Sequence, residues 1–93
     1  MMEHEIIIWD ENAGRINAME PNLRVAMSRC NIKASVQLNS EPPLLSRNNL
    51  IGSTPAIQID GGEFWRHTIG VAVTIEQFEQ LFAKLRALGI IKD

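Results

Sequence analysis

The sequence predicts an α/β domain with a mixed four-stranded sheet, helices on both faces and the element order βαβαββα. Three observations carry that expectation. A short β-branched and aromatic run, Glu5-Ile6-Ile7-Ile8-Trp9, suits a central strand buried on both faces. Apolar residues then recur at helical spacing twice, from Ala13 to Cys30 and from Ile75 to Leu88. Between these helices a Thr54-Pro55 step enters the alternating run Ala56-Ile57-Gln58-Ile59, which stops at Asp60-Gly61-Gly62. Proline lacks an amide hydrogen and fixes its own φ, so it belongs at the first residue of a strand or on an edge.

Each element follows from local chemistry. Asp10-Glu11-Asn12 turns the chain after the first strand, and Asn12 is placed to cap the helix behind it. In that helix Ile16, Met19, Leu23, Ala26, Met27 and Cys30 form the apolar stripe, and Pro21 is expected to interrupt and kink it. A second strand is expected over Ala34 to Leu38. The segment Glu41 to Asn49 opens with two prolines, as a first helical turn allows, and reads as a short helix. Ala56 to Ile59 and Glu63 to His67 flank Gly61-Gly62 as a hairpin. Thr74 caps the last helix, whose apolar face is Ile75, Phe78, Leu81, Phe82, Leu85 and Leu88, and Gly89 ends it. The first two strands and their helix are expected to form a right-handed parallel βαβ unit.

Composition excludes several functional classes. Ninety-three residues suit one domain, with an apolar fraction of 45% and a charged fraction of 22%. The formal net charge is −2 and the basic residues are scattered, so no footprint for nucleic acid is present. No apolar run approaches the ~20 residues needed to span a bilayer. The start Met1-Met2-Glu3-His4-Glu5 is acidic and lacks the pattern of a secretory signal, so the expected location is cytoplasmic. A single cysteine excludes an intramolecular disulfide.

The Thr54-Pro55 corner, the Gly61-Gly62 turn, Trp9 at the end of the first strand and Pro21 inside the first helix together resemble the thioredoxin-like superfamily, closest to its small redox-disulfide proteins. That resemblance covers nearly the whole chain. It implies a cis Thr54-Pro55 peptide whose exposed backbone pairs with a bound peptide or glutathione. It also implies a Cys-x-x-Cys motif at the start of the first helix, where the dipole and unpaired amides stabilise a thiolate. At that place the chain reads Ala13-Gly14-Arg15-Ile16. Ala13 cannot attack a disulfide and Ile16 cannot resolve one, and no hydroxyl replaces either, so thiol-disulfide exchange by the usual mechanism is not available.

A binding geometry is the remaining expectation. The backbone of Thr54 would pair with an extended ligand strand, beside the helix start. Asn12 and the first amides, including that of Ala13, would receive an anionic group, with Arg15 as a charged donor. Trp9 and Ile16 would add apolar contact, and Thr54-Pro55 would form the corner of the cleft. The plain alternative is that Thr54-Pro55 only builds the corner. Cys30 lies about 25 Å along the helix from Ala13, at ~1.5 Å per residue, and reads as a structural thiol. His4 and His67 lack ligand spacing with each other or with Cys30, so no metal or other cofactor is expected. Asp10-Glu11 reads as a solvated acidic pair. Trp65 is either an exposed protein contact or a residue buried under the last helix.

Three functional classes stay open. The first is a redox-inactive module that binds a protein or peptide through the groove. The second retains glutathione binding, as transferase relatives do, though the all-helical second domain usual in those relatives is lacking. The third is a thiol protein working through Cys30. Oligomeric state is left open by the sequence, with the first-strand edge or the hairpin edge as candidate pairing sites.

Overall fold

A computed structural model describes residues 4–91. The stretch Met1 to Glu3, read above as an acidic lead-in, lies outside the described residues. The elements run β1 (His4–Trp9), α1 (Ala13–Arg29), β2 (Ala34–Asn39), α2 (Pro42–Arg47), β3 (Ala56–Ile59), β4 (Phe64–Trp65) and α3 (Ile75–Ala87). They form a mixed four-stranded sheet in the order β2-β1-β3-β4. β1 pairs with β2 in parallel and with β3 in antiparallel, and β4 closes the hairpin against β3.

Strand side chains alternate between faces, and the two faces have separate cores. Ile6 and Ile8 of β1, with Ile57 and Ile59 of β3, pack against Met19 and Leu23 of α1 and Phe78, Phe82 and Leu85 of α3. On the opposite face Trp9 and Ala56 pack with Leu45 of α2 and with Leu50, while Ile7 and Phe64 border them. Trp9 and Phe64 meet edge to face, and the Trp9 indole N–H donates to Gln58 Oε1 at 3.1 Å. β1 is thus interior to the sheet, so the expectation that its edge could pair between molecules is corrected. The edge strands are β2 and, as expected of the hairpin, β4.

Several boundaries differ from the sequence pattern. α1 runs unbroken through Pro21, because tertiary packing of its buried stripe outweighs one lost ladder bond. The hairpin's second strand covers only Phe64–Trp65 rather than Glu63 to His67. Its turn centres on Asp60 and Gly61, both at positive φ as a type I′ turn requires, and Gly62 N–H closes it on the Ile59 carbonyl. Leu88 is 58% exposed and caps α3 rather than joining its apolar face. All three helices end alike. Asn31, Asn49 and Gly89 take positive φ just past the caps, and each end carries the paired backbone bonds of a Schellman motif. Thr74 and Gln77 form a reciprocal capping box at the start of α3.

The hairpin turn is tied back to the start of β1. Asp60 accepts from the Glu5 amide at 2.8 Å, and His4 Nδ1 lies 2.7 Å from its other oxygen. Partial burial works against its ionisation, but the His4 hydrogen bond, the Glu5 amide and the His4 charge outweigh it, holding Asp60 below the usual carboxylate value. A depressed carboxylate contributes stability above its unfolded pKa and loses it as pH falls through its folded pKa. Asp60→Asn keeps a residue tolerant of positive φ while removing the charge. It should lower stability near neutral pH by less than about 1 kcal/mol, as for a partly exposed pair. The difference from the parent should shrink as pH falls below the ordinary carboxylate range, in urea unfolding followed by circular dichroism.

Candidate functional site

Three loops meet beyond the end of β1: the β1–α1 turn, the Gly52–Pro55 segment before β3, and the Thr68–Val71 segment before α3. The contact begins with Asp10, which is fully buried. A buried carboxylate needs partners for its lone pairs. Arg15 Nε donates to Asp10 Oδ2 at 2.9 Å and Arg15 Nη2 to Oδ1 at 2.8 Å, a bidentate pair, and the Asn12 amide adds a third bond at 2.9 Å. The Asp10 hydrogen bond and charge outweigh desolvation and hold the Arg15 guanidinium's pKa above its usual value. Asn12 caps α1 as expected, its Oδ1 accepting from the Arg15 amide at 2.9 Å.

From there the network spreads to the other two loops. Glu11 Oε1 accepts from the Gly52 amide at 2.6 Å and from the Thr54 hydroxyl at 3.1 Å. Thr54-Pro55 is a cis peptide. The Thr54 carbonyl accepts from the Gly70 amide at 2.9 Å, and the Gly70 carbonyl accepts from Arg15 Nη1 at 3.3 Å. Arg66 Nε donates to the Ser53 carbonyl at 2.9 Å.

This geometry brings the two sequence-marked segments together and rearranges their roles. Trp9 and Ile16 are buried in the two cores, and Thr54 and Pro55 are buried as well, so none presents contact surface. The Thr54 carbonyl is not free as expected, because the chain's own Gly70 amide donates to it. Arg15 is committed to Asp10 and Gly70, and Asp10 already brings negative charge beside the α1 start. Asn12 and Ala13 remain exposed. The acidic pair is not simply solvated: Asp10 and Glu11 organise the corner. A local signal existed for the first, since Asp10 and Arg15 straddle the cap. None existed for the Glu11–Thr54 bond, which spans 43 positions. Also unforeseen are Ile51, Ile69 and Val71, exposed by 53%, 60% and 53% on the rim of the same corner.

Other candidates lie elsewhere. Cys30 caps the far end of α1 and is half-buried, its carbonyl accepting from Arg86 Nη2 at 2.6 Å. Burial and Glu79 push its thiol pKa up against the opposing Arg86 charge. Trp65 is half-buried against the main core, with Lys84 of α3 over its ring, which answers the alternative left open by the sequence. Among the described residues no group of three His, Cys, Asp or Glu side chains is placed to hold a metal, and no helix is long and apolar enough to cross a membrane.

Compared with known protein families, curated proteins and solved structures, the chain matches none.

Removing Arg15 tests the corner. Arg15→Met strands the buried Asp10 charge and should cost about 2–3 kcal/mol, less than the ~3–5 of a fully buried pair because Arg15 retains some solvent contact. Adding Asp10→Asn to that variant should recover part of the loss. Chemical denaturation of the four-member cycle reads the coupling directly.

Proposed function

We propose that this chain is a thioredoxin-like module without thiol chemistry, which binds a protein partner through an extended segment laid across the three-loop corner. The observation that carries the reading is the apolar rim, Ile51, Ile69 and Val71, standing exposed around a hydrogen-bonded and otherwise buried junction. Single exposed aliphatics are ordinary on a protein surface. Three on adjoining loops, held in place by Glu11, Arg15 and Thr54, form a rigid apolar frame with little entropy left to lose on binding. The amides of Ala13 and Gly14, which have no helical acceptor at the exposed start of α1, flank that frame and supply a polar edge for an extended backbone.

The absence of a thiol at Ala13 and Ile16 supports binding over catalysis, as does the placement of Cys30 at the opposite end of α1. Contact falls on the rim rather than on Thr54 itself, since the Gly70 bond already occupies the Thr54 carbonyl. The partner segment therefore needs apolar side chains at alternate positions. A thiol substrate has no role in this reading.

Selection of linear peptides on the immobilised chain tests it. Recovered peptides should carry alternating apolar residues, and each of Ile69→Ser and Val71→Ser should weaken them by about tenfold, the value of one buried aliphatic contact. Both variants should keep the parent melting temperature, because the substituted side chains are exposed. Recovery of no binder, or of binders indifferent to both substitutions, would overturn the proposal. Insulin reduction should stay at background for the parent and for Cys30→Ser. Turnover lost in Cys30→Ser would instead assign the protein to thiol chemistry.

A further inference from the structure

A second feature is a cleft between β4 and α3. Its volume is about 190 Å³. That exceeds the roughly 150 Å³ of an apolar cavity known to hold one benzene. Ile57, Val73 and Leu81 form its apolar wall together with the Trp65 ring. Its polar side is formed by Arg66, His67, Gln77, Gln80 and Lys84. Among the described residues no carboxylate lines it, although the chain carries 11 acidic residues against 9 lysines and arginines.

The cations here are held without being neutralised. The Lys84 ammonium lies 5.1 Å from the Trp65 ring centroid, and among the described residues no ion pair involves it. A ring quadrupole fixes a cation in place but leaves its charge available to an anion. Arg66 is oriented through Nε on the Ser53 carbonyl, and among the described residues its terminal nitrogens make no bond. Gln77 turns its carbonyl oxygen to the Thr74 amide, leaving the amide nitrogen as a donor. The pattern is an apolar slot with positive and amide donors at its mouth, the arrangement that orients a small amphipathic ligand.

We infer that this cleft binds a small organic anion with one flat apolar ring, of the aryl carboxylate class. The ring lies among Ile57, Val73 and Leu81 beside Trp65, and the carboxylate meets Lys84 and the Arg66 terminus. Ring contact supplies affinity by burial, and the charge-assisted bonds supply selection against neutral analogues. Occupancy would also fix Arg66, which anchors Ser53 next to the buried Thr54. The inference stands apart from the partner-binding reading, since neither Ile51, Ile69 nor Val71 lines the cleft.

Titration of the full chain with phenylacetate, followed by amide and indole NMR, tests it against 2-phenylethanol as the uncharged counterpart. Saturable shifts are expected at the Trp65 indole and at Gln80 and Leu81, with none at Asn12 or Ala13. Phenylacetate should bind about tenfold more tightly than 2-phenylethanol, as a charge-assisted bond confers. Lys84→Gln, at an exposed position on α3, should remove most of that preference while leaving the 2-phenylethanol shifts in place. Added salt should weaken phenylacetate selectively. Equal affinity for the two ligands, preference retained in Lys84→Gln, or no saturable shift at millimolar concentration would overturn the inference. Peptide selection at the three-loop corner reads out independently, so the failure of either leaves the other identifiable.

Discussion

The buried carboxylate of Asp10 is the constraint from which the rest of the corner follows. It sits where β1 ends, wholly removed from solvent, and must therefore be satisfied by the protein itself. Arg15 supplies two of its bonds from the first turn of α1, which sets the entry of that helix relative to the strand. The same guanidinium reaches the Gly70 carbonyl, and Gly70 in turn donates to Thr54. One charge thus registers three loops that are far apart in sequence. A neutral side chain at position 10 would fill the space without imposing that register.

The two-sided core was legible because strand chemistry is local. Ile6 and Ile8 alternate with Ile7 and Trp9, and a run apolar at every position has to be covered on both faces. Helix starts were legible for the same reason, since Asn12 and Thr74 bond within their own first turns. Helix ends were less so. Asn31 and Asn49 take positive φ like glycine, and their role depends on where the following Ile32 and Leu50 are buried. Pro21 misled in the opposite direction: its local penalty is real, but Met19 and Leu23 on either side are fully buried and the helix continues through it without interruption. The hairpin shifted because Asp60 tolerates the left-handed region, so the turn closed one residue earlier than Gly61-Gly62 suggested.

Site residues followed the same division. Position 13 and position 16 could be scored from chemistry alone, since alanine and isoleucine carry no nucleophile. The surroundings could not. Whether Trp9 and Ile16 face solvent is decided by α2, Leu50 and α3, none of which is near them in sequence. Gly70 covers Thr54 through a single backbone bond that no residue pattern announces. Consequently the residues marked by sequence define where the corner is, while Ile51, Ile69 and Val71, which no pattern marked, form its exposed rim.

On the thioredoxin-like reading proposed here, the change at the corner is more than a loss of sulfur. A thiolate at a helix start carries charge that appears and disappears with oxidation, so recognition there varies with redox state. In this chain the negative group beside the helix start is Asp10, tied to Arg15 in a pair of zero net charge. Neither member changes with redox poise. The loops that the pair registers, and the apolar rim they carry, keep one arrangement under reducing and oxidising conditions alike. A surface so fixed suits constitutive binding, in which specificity resides in shape and apolar contact and no covalent intermediate is needed to hold the partner.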